Sequence, residues 1–216
     1  MDRLTNQQVL DAALDDWRKL AQGIHARFDT GDFSAGTRFV AAVAEAAQQT
    51  GHRPEVRLTE RWVELKLTTH EDGWWVTERD VELARRISAI AQEQGIRPDP
   101  RAVIQFELAL DTSTFAAQGP FWAALLTGSA DNVVHTDVID PDFRVPNLWF
   151  QETEAHETPR QRFHVDLWLP HDVAEERIAA AVAAGGEVVD DSEAPSFVVL
   201  ADPEGNKACV CTCLGR

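Results

Sequence analysis

The sequence predicts an α+β fold: an N-terminal antiparallel sheet with helices on one face, followed by a domain of two paired βαββ(β) repeats. Three observations lead there. Over the first hundred residues, helical periodicity alternates with strand alternation, the signature of helices segregated onto an antiparallel sheet. Residues 106–111 (FELALD) then find a counterpart in residues 165–170 (VDLWLP) at an offset of 59, which marks an internal duplication. Between them, Glu93–Arg101 carries two prolines, a glycine and four charges, a composition that reads as a linker. The expected domains are 1–95 and 102–216, joined by 96–101, and 216 residues suit two units at ~100–200 residues each.

The elements of the first domain follow in order. Leu4–Leu14 forms an opening helix with Thr5 or Asn6 as its cap. Trp17–Leu20 and Ile24–Phe28 are short extended segments separated at Gly23. From Phe33 to Gln49, Phe39, Val40, Val43, Ala44 and Ala47 form one helical face, and Gly51 ends the helix. Val56 and Leu58, then Val63, Leu65 and Leu67, alternate with charged residues around Thr59–Arg61 as a hairpin with one buried face. Thr77-Glu78-Arg79-Asp80 opens a last helix with the stripe Val81, Leu83, Ala84, Ile87, Ile90 and Ala91.

In the second domain each repeat strand leads into an Ala-rich helix, Thr114–Leu126 or Asp172–Ala184, closed by Gly128 or Gly185-Gly186. The expected strands are Asn132–Ile139 and Asn147–Glu152 in the first copy, and Glu187–Val189, Phe197–Ala201 and Ala208–Cys213 in the second. Neither copy covers its sheet alone, so the two are expected to pair around a shared cleft.

Composition narrows the function. Hydrophobic residues at 44% with seven Trp and ten Phe rule out a disordered or fibrous chain. The net charge of −16 opposes phosphate attraction, which excludes nucleic acid and anionic membranes as partners. That charge is uneven: residues 1–100 hold 13 basic and 17 acidic groups, residues 101–216 hold 7 and 19, for nets of −4 and −12. No window reaches the ~18 apolar residues of a membrane span, and the N-terminus lacks a signal pattern, which points to the cytoplasm. Cys209, Cys211 and Cys213 alternate along one strand face and read as reduced cysteines, since the spacing is neither a disulfide framework nor half of a zinc site.

Two constellations carry chemistry. In the first, His52 follows a helix and His70 ends the hairpin that comes next, so both arrive at one end of the sheet. Imidazoles titrate near neutrality and can give and take protons there. Asp80 sits at a helix start, as a dipole partner or as a group that orients a histidine. Along these residues the chain resembles the pterin-4a-carbinolamine dehydratases. The likeness runs through Leu4-Thr5, Trp17, Phe28, Phe33, Phe39-Val40, His52-x-Pro54-Glu55, Val63–Leu67, Thr69-His70 and Thr77-Glu78-Arg79-Asp80-x-x-Leu83-Ala84.

The resemblance implies dehydration of a 4a-hydroxytetrahydropterin to a quinonoid dihydropterin, without cofactor. In that reading His52 and His70 are the acid-base pair, Asp80 is the orienter, and Arg53, Pro54, Glu55 and Trp74 are substrate contacts. The family usually has a second histidine where this chain has Arg53, whose guanidinium keeps its proton and can only hold substrate. Trp74-Trp75 either stacks on a flat pterin or packs on the neighbouring domain. The resemblance also implies a homodimer.

The second constellation is the pair of repeat strand starts, Gln105 with Glu107 and His164 with Asp166. Residues 102–214 resemble the glyoxalase/bleomycin-resistance/dioxygenase superfamily through Pro120–Leu126, Phe163–Asp166 and Asp202–Asn206. Metal-using members place a glutamate on the last strand, where this chain has Cys209, so no metal is expected, Gln105 and His164 being the weak candidates. A small-molecule pocket lined by Trp122, Trp149, Trp168, Phe197, His164 and Asp166 is the expectation. Three readings stay open: a dehydratase with an appended binding domain, a planar-ligand binder disabled by Arg53, and a metal-dependent lyase or dioxygenase in the second domain.

Overall fold

The computed structural model describes residues 3–71, 73–103, 105, 108–155, 165–169, 173–212 and 214. They fall into two compact units, Met1–Gln105 and Phe106–Arg216.

The first unit opens with α1 (Asn6–Asp11), closed at its start by a reciprocal pair in which the Thr5 hydroxyl accepts from Gln8 N and Gln8 Oε1 accepts from Thr5 N. β1 (Trp17–Leu20) and β2 (Gly23–Asp29) form a hairpin across Ala21-Gln22. α2 (Phe33–Thr50) starts at Asp32, whose side chain accepts from Ala35 N at 2.8 Å. β3 (Glu55–Leu58) and β4 (Trp62–Leu67) make the second hairpin, and α3 (Glu78–Glu93) and β5 (Arg97–Pro98) complete the unit. The sheet is antiparallel in the order β1-β2-β4-β3, with β5 added along the far end of β2.

Alternation decides which side of this sheet is dry. Ile24, Ala26 and Phe28 from β2, with Val63, Leu65 and Leu67 from β4, bury against Phe39, Val43 and Ala47 of α2 and Leu83, Ala84 and Ile87 of α3. Phe28 and Phe39 meet edge to face at 5.1 Å with neither exposed, so truncating either is expected to cost about 3–5 kcal/mol. Val56 is the exception to the buried hairpin face, at 43% exposure on the edge strand. Part of the segment expected to be a linker is built into the fold: Asp99 N donates to Arg27 O at 2.7 Å, Ile96 is buried, and Arg97–Pro98 pair with β2. A two-residue strand has no alternation to read, and its proline, on an edge, forfeits no needed donor.

The second unit runs β6 (Leu108–Thr112), α4 (Phe115–Thr127), β7 (Val133–Val134), β8 (Asp137–Val138) and β9 (Leu148–Glu152), then β10 (Val165–Trp168), α5 (Ala174–Ala183), β11 (Glu187–Asp190), β12 (Phe197–Ala201) and β13 (Lys207–Cys211). The single strand expected over Asn132–Ile139 is instead the β7–β8 hairpin, turned at His135 with φ +56°. Both copies are therefore βαβββ, and their sheets have the same order, β6-β9-β8-β7 and β10-β13-β12-β11, each with its first strand parallel to its last.

The copies share one core of Phe121, Leu125, Leu148 and Phe150 with Leu167, Ala181, Leu200 and Val210. Gly186 makes room for it, since a Cβ there would sit 1.9 Å from the Phe121 ring. Glu204 also ties the copies together, accepting from Thr112, Ser113 and Thr114 at 2.9–3.0 Å.

Candidate active site

Two segments of the first unit end beside the start of α3. Gly51 takes φ +64°, which a β-carbon would strain, and its N–H donates to Ala47 O, so α2 stops and the chain turns out at His52. At the other side, Thr69 and Trp75 exchange backbone hydrogen bonds of 2.8 and 3.0 Å and close a short loop that carries His70. Gly73 is required in that loop: its φ is +135°, and a Cβ would lie 2.2 Å from Trp75 Nε1.

Asp80 joins the two. Its side chain is fully buried, a position that is unfavourable for a carboxylate unless donors surround it. Oδ1 lies 2.6 Å from His52 Nε2. Oδ2 accepts from Thr69 Oγ1 and Thr77 N at 2.8 Å and from Thr77 Oγ1 at 3.0 Å. With hydroxyls and an amide turned toward it, Asp80 acts as acceptor throughout. A proton on His52 Nε2 completes that hydrogen bond and leaves Nδ1 outside the pair. His52 is itself 8% exposed.

His70 stacks on Trp74, with ring centres 4.2 Å apart and planes at 25°. His70 is exposed overall, with the indole against its ring. Partial burial of the ring holds its pKa below the usual histidine value; Lys66 and His52 push the same way and Asp80 opposes them. Glu55 does not stand free: its Oε1 is 2.9 Å from Lys66 Nζ. Arg53 is exposed and Pro54 half-buried.

Arg79 is a site residue that sequence reasoning quoted only as part of a motif. Its guanidinium donates to Gly51 O at 2.9 Å and to Glu71 Oε1 at 3.0 Å, so it spans the residues next to His52 and His70. The available signal was a cation in the first turn of a helix, where the dipole disfavours it. On the sheet face away from the helices, His25 is buried, and among the described residues neither its Nε2 nor Thr68 Oγ1 has a hydrogen-bond partner. Burial, with Lys66 and Lys19 alongside, pushes the His25 imidazole down to about 4.

The second constellation is less concentrated. His164 and Glu107 lie outside the described residues, as do Cys213 and the side chain of Trp168. Gln105 closes the first unit. Asp166 sits opposite Cys209 in the β10–β13 register, and burial followed by the Asp166 carboxylate pushes that thiol up to about 11. Trp149 is 36% exposed and Phe197 half-buried. Trp122 packs into the core, 3% exposed, with Nε1 donating to Asp202 Oδ2 at 3.0 Å. The helix α4 is apolar all round, so periodicity gave no means of telling its core face from a pocket face. Among the described residues no three His, Cys, Asp or Glu side chains gather as a metal site.

Residues 2–90 match the family model for pterin 4 alpha carbinolamine dehydratase. A Koribacter versatilis protein provisionally named pterin-4-alpha-carbinolamine dehydratase is 36% identical over 89 residues, which cover 40% of this chain and 94% of that one. The chain belongs to the pterin-4-alpha-carbinolamine dehydratase family. A relative from Nitrobacter winogradskyi with the same provisional name is 42% identical over 81 residues, covering 37% of this chain and 79% of that one. To this family domain the chain adds a second, since residues 107–211 match the model for a glyoxalase-like domain. Similar solved structures include a transcriptional coactivator/pterin dehydratase from Brucella melitensis (37% identity, 42% of this chain and 99% of that one, TM-score 0.39). Another is a glyoxalase/bleomycin resistance protein from Albidiferax ferrireducens (17% identity, 50% and 97%, TM-score 0.39). No helix among the described residues is long and apolar enough to cross a membrane.

Proposed function

We propose that the first unit dehydrates a 4a-hydroxytetrahydropterin to a quinonoid dihydropterin by histidine acid-base catalysis. The observation that carries this reading is the buried Asp80–His52 pair at 2.6 Å with His70 brought in from a second segment. Asp80 keeps His52 in one tautomer and orientation, as a carboxylate does for a histidine in other proton-transfer sites. In its doubly protonated form His52 gives the Nδ1 proton to the departing hydroxyl, which leaves as water when the C–O bond breaks, while its Nε2–H stays on Asp80. His70, held uncharged at neutral pH by its surroundings, takes the ring N–H proton, and that electron pair forms the new C=N bond. Arg53 contacts the substrate from the exposed rim, and Trp74 offers a flat surface beside His70. The second unit acts as an appended small-molecule-binding domain, with Trp149, Phe197 and Asp166 as its contacts.

The test is to generate the 4a-hydroxypterin enzymatically and follow its decay by absorbance. The protein is expected to accelerate that decay, and His52→Ala and His70→Ala to lose about 10²-fold or more of the acceleration. No acceleration by the unaltered protein would refute the proposal.

Arg53 favours a second reading, a planar-ligand binder that has lost dehydration, because it stands where the family usually has a histidine. Arg53→His separates the two: a large gain in rate supports lost activity, and a fall supports a working substrate contact.

A further inference from the structure

The sheet face opposite the helices carries a charged row that the proposed reaction leaves unused. β4 alternates, turning Val63, Leu65 and Leu67 into the core and Glu64 and Lys66 to the other side. Lys66 is fixed there, with 12% of its side chain exposed and its ammonium 2.9 Å from Glu55 Oε1. The same ammonium lies 5.8 Å from the centre of the Trp74 ring, and Trp74 is the indole on which His70 stacks at 4.2 Å. An indole attracts a cation within about 6 Å of its centre. One that already serves an ammonium has less to offer a second cation on the same ring.

We propose that Lys66 is a positioning residue for His70: anchored by Glu55 and seated at Trp74, it steadies the imidazole–indole stack and places a fixed positive charge beside it. This inference rests on the acid-base reading of the site and adds a residue that supports His70 as the acceptor. The groups bearing on His70 come from three elements: Lys66 on β4, His52 at the end of α2, and Asp80 on α3. Lys66 and His52 oppose a proton on His70, and Asp80 favours one. Asp80 is already engaged with His52 and two threonines. Lys66 thus adds a permanent charge to the effect of burial, and both favour the neutral form of His70.

The test is a proton NMR titration of the His70 ring, its signal assigned by loss in His70→Gln, for the unaltered protein, Lys66→Met, Lys66→Gln and Lys66→Arg. The two uncharged variants are expected to raise the His70 midpoint by about half a pH unit, about threefold in its protonation equilibrium. Lys66→Arg is expected to leave it in place. The acidic limb of kcat/KM should move by the same amount, with the rate above pH 8 little changed. An unmoved midpoint in a folded Lys66→Met or Lys66→Gln protein overturns the inference. A moved midpoint in a protein with no dehydration at all upholds it while refuting the dehydratase reading.

Discussion

Asp80 in the first unit and Asp202 in the second are both carboxylates buried among a ring of donors, and the two rings differ in a way that separates chemistry from architecture. Asp80 accepts from two threonine hydroxyls, one amide and His52. Asp202, 3% exposed, accepts from Glu204 N and Asn206 N at 2.9 and 2.8 Å, from Asn206 Nδ2 at 2.8 Å and from Trp122 Nε1 at 3.0 Å. Every donor around Asp202 keeps its proton at all ordinary pH values, so that carboxylate can only hold a turn and an indole in place. Around Asp80 one partner is an imidazole, a group that can give or take a proton, with a second nitrogen to spare. A buried carboxylate is therefore evidence of proton chemistry only when its surroundings include a group able to change charge.

The largest effect that would break or sharpen this contrast comes from removing the charge alone. Asp80→Asn is expected to lower the dehydration rate by about 10²-fold or more, because the amide no longer dictates the His52 tautomer. Asp202→Asn is expected to leave that rate unchanged. Stopped-flow decay of the 4a-hydroxypterin reads both, and an equal loss in both variants would erase the distinction.

Next is an effect of acid confined to the first unit. His25 has a pKa of about 4 when folded and about 6.5 when unfolded. Between those values the unfolded chain binds a proton that the folded one refuses, so stability falls as pH drops from 6.5 to 4 and levels off below. The span is worth about 3 kcal/mol. Urea melts at pH 4 and 7 check it, and His25→Phe is expected to flatten the dependence.

Smaller is the architectural carboxylate itself. Asp202→Ala leaves the Trp122 indole and two backbone amides without an acceptor, a loss of about 2 kcal/mol, expected in the unfolding transition of the second unit only. Smallest is the Arg79 span. Its ion pair with Glu71 is largely exposed and worth little by itself. Arg79→Ala is expected to lower stability by about 1 kcal/mol through the lost bond to Gly51 O, with a rate loss well below that of Asp80→Asn.

What was legible in the sequence follows the same contrast. The core strands β2 and β4 and the helices α2 and α3 announce themselves because one buried face leaves a period, and the repeat was visible because both copies reuse it. Gly51, Thr69-His70 and Thr77–Asp80 were legible as punctuation, and that brought His52, His70 and Asp80 to one sheet end. The β7–β8 hairpin and β5 were not, since two-residue strands carry no period. The core packing of Trp122 was not legible because α4 is apolar all round, and an aromatic residue in such a helix looks the same in a core as beside a pocket. The role of Lys66 lay deeper still: alternation puts it on the open face, but its contact with Trp74 depends on how the 70–75 loop folds back.

The most direct measurement is a crystal structure with an oxidised pterin soaked into the first unit. The account predicts His52 Nδ1 and His70 both within hydrogen-bonding distance of one pterin ring, with His52 Nε2 still on Asp80. A pterin seated elsewhere, or touched by one histidine while the other turns away, would contradict it.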